Sequence, residues 1–394
     1  MTKKPELLAP AGDLEKLKAA LLYGADAVYL GGPCFGLRAG AGNFDREAMA
    51  EGVGFAHDRG ARVYVTVNIF ARNSDLKALP DYMDLIRSAG ADGVIVSDPG
   101  VVEMILRDFP GLAVHLSTQA NTTNWASARF WEERGVSRIV LARELSLNEI
   151  MEIRARVGLE LEIFVHGAMC IAYSGRCLLS NYLTGRDANR GDCAQSCRWR
   201  YALVEEKRPG EYLPFEEDES GAYVLSSRDL CLIEHIPKLV EAGVDSFKIE
   251  GRMKSVHYVA GVVKAYREAI DAYLAGGAFD PAWIEEIGKV SHREYTTGFI
   301  FGNPGPGGQH YNSEIYRRRY SFIGLVRSYD PQAGLLTVEQ RNRFAVGDEV
   351  EFLTPEGKPY KHRIEGIYDD EGNSLDAAPH PQQIVKIPFN RSMP

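Results

Sequence analysis

RVYVTVNIFARNSDLKALPDYMDLIRSAGADGVIVSD, residues 62–98, sets two short apolar runs on either side of an amphipathic stretch that ends near a glycine. RVYVTVN and DGVIVSD are almost continuous in apolar and β-branched residues, the pattern of strands covered on both faces. The stretch between them, with YMDLIRSAG, carries helical spacing and a glycine where helices stop. A strand, a helix and a second strand of this kind make one parallel βαβ unit. The unit recurs: ELLAPA near 6, DAVYLG near 26, LAVHLST near 112, SRIVLAR near 137, LEIFVHG near 161 and DSFKIEG near 245 supply six further strands. Eight such strands in about 250 residues is the count of a (β/α)8 barrel. The expected fold class is therefore α/β, a TIM-like barrel. An open doubly wound nucleotide-binding sheet would carry GxGxxG after its first strand, and none stands there.

One connection departs from the pattern. After LEIFVHG the chain enters no helix until about DLCLIEHIPKLVEAG, roughly sixty residues on, whereas ordinary βα loops run two to six. This insertion, residues 168–225, leaves from the C-terminal end of a barrel strand, the face on which such barrels keep their active sites. The barrel is expected over residues 1–300 and a Gly/Pro-rich linker, FGNPGPGGQHYN, over 301–314. Residues 315–394 then hold five short strands between turn signals, expected to form a small β-barrel.

The chain has 394 residues, 45% hydrophobic and 25% charged, enough for a large core and a second domain. Its start, MTKKPELLAPAGD, lacks the apolar region of an export signal, and no run approaches eighteen apolar residues. The expected localisation is cytoplasmic, with no membrane partner. Thiols stay reduced there, so clustered cysteines point to metal or catalysis before disulfides. A net charge of -9 argues against non-specific coating of nucleic acid. Local basic faces remain: Arg176, Arg186, Arg190, Arg198 and Arg200 lie in the insertion, and Arg317, Arg318 and Arg319 stand together in YRRRY.

Four of the six cysteines fall within the insertion: Cys170, Cys177, Cys193 and Cys197, with Cys34 and Cys231 elsewhere. Their spacing contains no CxxC pair of the zinc-ribbon kind. Spacing alone leaves zinc and an iron–sulfur cluster evenly matched, since both take thiolates.

EIFVHGAMCIAYSGRCLLS, residues 162–180, resembles the signature of peptidase family U32, the collagenase-like proteases, with Glu162, Phe164, Gly167, Cys170, Gly175, Cys177 and Ser180 in the expected places. RDANRGDCAQSCRWRY, LLAPAGDLEKLKAAL, KIEGRMKS and HREYTTGF extend the resemblance over nearly the whole chain. The C-terminal strands resemble the extension of members that modify transfer RNA. The resemblance implies an iron–sulfur hydroxylase that forms 5-hydroxyuridine at the wobble position of transfer RNA, with prephenate as co-substrate. It implies a [4Fe–4S] cluster on Cys170, Cys177, Cys193 and Cys231, with Cys197 and Cys34 as alternatives for the last place. Two other readings follow from the same family. One is a peptidase. The other is a cluster-bearing accessory subunit that works with a homologous partner, in hydroxylation of an rRNA cytidine or a ubiquinone precursor. A peptidase would need a nucleophile or an activated water, yet the chain has neither HExxH nor GxSxG.

An enzyme that acts on one base must accept a splayed nucleotide in a pocket and hold the neighbouring phosphates. CRWRY and YRRRY set arginines among aromatics, so Arg198, Arg200 and Arg317–Arg319 are the RNA-contact candidates. A dicarboxylate needs cations at strand ends. Arg143, Lys248 and Arg252 meet that need, while His166, Asn68 and Gln119 stand at strand ends as candidate catalytic groups.

Overall fold

The computed structural model describes residues 3–37, 42–170, 172–173, 176–199, 203–204, 212–213, 227–304 and 320–390. The chain divides into two compact units, Met1–Arg317 and Arg318–Pro394.

The first unit is built on eight parallel strands: β1 (Glu6–Pro10), β2 (Ala27–Gly31), β3 (Arg62–Val67), β4 (Gly93–Val96), β5 (Ala113–Leu116), β6 (Arg138–Val140), β7 (Glu160–Ala168) and β8 (Ser246–Ile249). Each pairs with the next in sequence, and β8 pairs with both β1 and β7, so the sheet closes into a barrel. Side chains alternate across each strand. Leu7, Val63 and Val65 face the helical layer, where they join Leu17, Met49 and Ile86, while Leu8, Tyr29, Tyr64 and Ile95 cluster separately inside the barrel. Several of the helices start on side-chain caps: Asp13, Asp45, Asp98, Asn124, Ser146 and Ser255 each accept a backbone N–H of the first turn.

The barrel interior also holds charge. Arg138, 2% exposed, donates to Glu6, Glu160 and Glu162. Glu162, fully buried, accepts from Lys248 Nζ at 2.8 Å. These groups form a column that begins at the first residues of β1 and β6 and ends at Lys248, whose ammonium lies 4.5 Å from the centre of the Tyr29 ring. Burial alone would raise the Glu162 carboxyl, but Lys248 and then Arg138 hold it below the usual range.

Two segments differ from the sequence expectation. The insertion, expected to enter no helix, holds a short one, Leu179–Thr184, closed by Gly185 at positive φ; the other is the stretch that follows it. Residues 229–231 of DLCLIEHIPKLVEAG are not helical. Asp229–Cys231 pairs antiparallel with the end of β7, Asp229 opposite Ala168 and Cys231 opposite His166, and Tyr295–Thr296 adds to it in parallel. The helix spans Ile236–Glu241, with a proline in its first turn. The physical reason is long-range: the Asp229 carboxylate is held by the Arg293 backbone N–H and guanidinium, so the segment is drawn into the ladder.

In the second unit the expected small β-barrel takes the form of antiparallel sheets. A five-stranded sheet contains β9 (Gly324–Asp330), β10 (Leu335–Gln340), β11 (Ile384–Pro388) and two short strands, Ile367–Tyr368 and Ser374–Leu375. Two ribbons, Phe344–Ala345 with Ala377–Ala378 and Glu349–Phe352 with Tyr360–Arg363, complete it. Leu336, Val338, Phe344, Ile367, Val385 and Ile387 form its own core. Among the described residues no helix is long and apolar enough to cross a membrane.

Candidate active site

A cavity of about 350 Å³ opens where the barrel strands end at their C-terminal side, lined by residues at or just beyond the ends of several strands. Lys248 and Tyr29 stand on its wall from within the barrel, and Cys170, Cys177, Cys193 and Cys197 line it from the insertion. The inserted loop is fastened to the rim. Arg176 Nε donates to the Gln119 carbonyl at 3.0 Å, and Arg190 donates to the Phe70 carbonyl and to both oxygens of Asp75. Asn189 brackets the Cys177 backbone with two hydrogen bonds, and Ser180 Oγ accepts from the Ala194 N–H, drawing residues 180 and 194 of the insertion together.

The cysteines separate into two groups. Cys170 is open to the cavity, and its thiol is raised by crowding from the protein, with Cys177 and Cys193 close enough to add to the effect and Arg143 opposing it. Cys197 lines the same cavity. Cys231 is not on that wall; it packs beside the Tyr266 hydroxyl, and burial pushes its thiol up to about 11. Cys34 lies after β2 and is likewise absent from the lining. Among the described residues no three His, Cys, Asp or Glu side chains are drawn together closely enough to hold a metal ion. The donor set nonetheless matches a thiolate-bound cluster in kind: four thiols share one cavity, and no imidazole joins them on its wall.

Of the cationic candidates, Arg143, Lys248 and Arg252 all line the cavity. Arg143 donates to the Ala168 carbonyl at 2.7 Å and lies over the Phe164 ring, 3.7 Å from its centre. Its Nε is buried with no hydrogen-bond partner among the described residues. Arg252 is 3% exposed and donates to Thr66 Oγ1 and Asn43 Oδ1. It fits because Gly12 and Gly31 leave room: a Cβ on Gly31 would come within 2.2 Å of Arg252 Nη2, and one on Gly12 within 2.1 Å of the Arg252 carbonyl oxygen.

Asn68 and Gln119 also line the cavity and are hydrogen-bonded to each other, Nδ2 to Oε1, at 3.0 Å. His166 is elsewhere. It is 1% exposed, packs among Tyr258, Tyr266 and Tyr295, and is held neutral by burial, its basicity lowered to about 3. It is not on the wall that holds Cys170, although it precedes Gly167 near the end of β7. Position 167 in this strand needs glycine: its φ is +108°, and a Cβ would meet the Glu250 carbonyl at 2.4 Å. Arg198 is described by its backbone, in the short 3₁₀ turn Ser196–Arg198. Arg200, Arg317, Arg318 and Arg319 lie outside the described residues.

Sequence reasoning missed Glu250, Lys254, Asp229 and Thr66 on this wall. Glu250 and Lys254 flank Gly251 and Arg252 in KIEGRMKS, so that stretch held a signal for them. Asp229 had none, since it reaches the cavity through an antiparallel pairing made over sixty residues of chain.

The comparisons agree with this geometry. The pattern of peptidase family U32 matches residues 12–310, and that of the U32 C-terminal domain matches residues 318–394. The chain is 50% identical over 396 aligned residues to tRNA hydroxylation protein P1 of Bacillus subtilis, covering 100% of this chain and 94% of that protein. It is 39% identical to tRNA hydroxylation protein P of Escherichia coli, covering 99% and 95% respectively. It is 38% identical to the 23S rRNA 5-hydroxycytidine C2501 synthase of Escherichia coli, over 76% of this chain and 46% of that one. A closed parallel barrel with cysteines of its insertion at the mouth, matched by the two patterns over residues 12–310 and 318–394, makes this chain a member of peptidase family U32.

Proposed function

We propose that this protein is an RNA-modifying enzyme that hydroxylates the wobble uridine of transfer RNA to 5-hydroxyuridine, with an iron–sulfur cluster and prephenate. The observation that carries the reading is the cavity at the barrel mouth, lined by thiols and cations together, in a chain similar over its full length to proteins named for tRNA hydroxylation. Its size lies in the range of small-ligand sites.

Replacing C5–H of uracil by C5–OH takes two electrons from the base, so an oxidant that supplies the oxygen must be reduced. A bound cluster would supply one-electron transfer beside the substrate. Cys170, Cys177 and Cys193 would hold it, with Cys231 or Cys197 as the fourth ligand. The rest is done by the chain. Arg143, whose buried Nε has no hydrogen-bond partner among the described residues, and Lys248 and Arg252, all on the cavity wall, would bind the two carboxylates of prephenate through charge-assisted hydrogen bonds. The Glu162 carboxylate orients Lys248 from below. The basic stretches around Arg198, Arg200 and Arg317–Arg319 would hold the transfer RNA backbone.

Mass spectrometry of transfer RNA nucleosides tests this. A strain lacking the protein should lose 5-hydroxyuridine and its derivatives, and the intact chain should restore them. Unchanged nucleosides in the deletion strain would overturn the assignment.

A further inference from the structure

The hydrogen-bond polarity at the cavity rim is fixed, and it presents donors. The Leu37 backbone N–H can only donate, and it reaches Asn68 Oδ1 at 3.4 Å. That turns the Asn68 amide nitrogen toward Gln119, where it donates to Oε1 at 3.0 Å. The Ser117 hydroxyl donates to the same Oε1 at 3.1 Å. The Gln119 oxygen is thus occupied twice, and its Nε2 is left with two N–H groups and no partner among the described residues. Gln119 is 7% exposed and lines the cavity, so the open side of this amide is the cavity. Its backbone is held as well, because Arg176, next to Cys177, donates to its carbonyl.

We propose that Gln119, locked by Asn68 and Ser117, selects uracil over cytosine by donating to the carbonyl at position 4 of the flipped base. The proposal rests on the RNA-hydroxylation reading and adds to it the residue that names the base. Uracil carries a carbonyl acceptor at position 4, whereas cytosine carries an amino donor there. An amide N–H meeting a carbonyl forms a bond; meeting an amino group, it leaves two donors opposed and desolvated. Position 4 adjoins the carbon to be hydroxylated, so the contact that reads the base also fixes C5 within the cavity that the four cysteines line. Asn68 and Ser117 are positioning residues: each acts through Gln119 by holding its oxygen.

The test uses full-length protein and two anticodon stem–loops that differ only in U or C at the target position, bound in competition. Wild type should prefer the uridine RNA by roughly 10-fold to 100-fold, as one base-edge hydrogen-bond pair supplies. Gln119→Glu offers the cavity acceptors alone and should bring the ratio below about 1, while Gln119→Met, similar in volume, should bring it to about 1. A purely structural role would weaken both RNAs equally and leave the ratio where wild type has it; that result in both variants, with melting temperatures unchanged, overturns the proposal. Nucleoside analysis of the deletion strain separates the two readings. If it shows no dependence of 5-hydroxyuridine on this protein, the function falls; if it does and the ratios do not move, only the role of Gln119 falls.

Discussion

Glu162→Gln should destabilise the barrel far more than an exposed charge would, through one neighbour in particular. Glu162 is fully buried between Arg138 at 3.1 Å and Lys248 at 2.8 Å. Arg138 keeps Glu6 and Glu160 when Glu162 is neutralised, so its charge stays compensated. Lys248 is 4% exposed, and Glu162 is its only ion-pair partner among the described residues, so the substitution leaves a buried ammonium beside Tyr29 and Phe164 with no compensating carboxylate. Breaking a buried pair by removing one partner costs about 3–5 kcal/mol, and the surviving contacts of Arg138 favour the lower end, about 3. For a unit of this size that is a fall in melting temperature of roughly 5 °C. The assay is thermal and urea unfolding of wild type, Glu162→Gln, and the double variant Glu162→Gln/Lys248→Met. The double variant removes the stranded charge and should recover at least about half of the loss. Because the Glu162 carboxyl is held below its ordinary value, its contribution is present above about pH 4.3 and is lost as pH falls further. If the double variant is no more stable than the single one, the column is not an electrostatic unit and the reasoning fails.

His115 is kept neutral, first by burial and then by Arg138, with its basicity lowered to about 3, so stability should decline as pH drops from about 6.5 toward 3. His115→Phe should flatten that decline by about one proton, read from unfolding free energy against pH. Gly31→Ala would drive a methyl into Arg252 Nη2 and push the guanidinium off Thr66 and Asn43; 5-hydroxyuridine in the complemented strain should drop about ten-fold or more, as for one lost charge-assisted contact, and an unchanged level would show that Arg252 is not needed. Protein purified without air should carry about four irons and four sulfides, lost in Cys170→Ser, Cys177→Ser or Cys193→Ser. Of Cys197→Ser and Cys231→Ser, whichever loses iron identifies the fourth ligand; stoichiometric zinc without iron in wild type would refute the cluster. Replacing Arg317, Arg318 and Arg319 by alanine should weaken transfer RNA binding and lower its salt dependence by up to roughly three contacts, and identical salt curves would free these residues from that role.

The barrel was legible because parallel strands buried on both faces leave a local trace, a run of apolar residues that needs no partner to be seen. RVYVTVN, SRIVLAR and DSFKIEG all became strands where they were expected. What the sequence concealed is held by distant partners. DLCLIEHIP has helical spacing, yet Asp229 is bound by Arg293 and drawn into the ladder beside β7. The charge column was half visible: Arg138, Glu162 and Lys248 interrupt apolar strands, but whether a charge in a strand faces a ligand or another buried charge depends on register across the barrel. Lys248 does both, on the cavity wall and on Glu162. The grouping of Cys170, Cys177, Cys193 and Cys197 followed from their nearness in sequence, whereas the separation of Cys231 from them follows from a strand pairing that spacing does not encode.

The fastening of the insertion has a consequence for how the protein is made. Phe70, Asp75 and Gln119, to which Arg190 and Arg176 are tied, lie in βα connections synthesised before the four cysteines of the insertion, while β8, which closes the barrel beneath them, is synthesised after. The four thiols therefore face one cavity only once the rim has formed and the ring is shut. A zinc finger folds around its metal as it is captured. Here the order would be reversed: the thiol-lined seat is fastened by arginine clasps, and a cluster bound there would be delivered to a finished barrel through the open mouth. On the proposed function, a carrier that donates a cluster would dock on the same face that receives RNA, so loading and substrate binding would exclude each other in time.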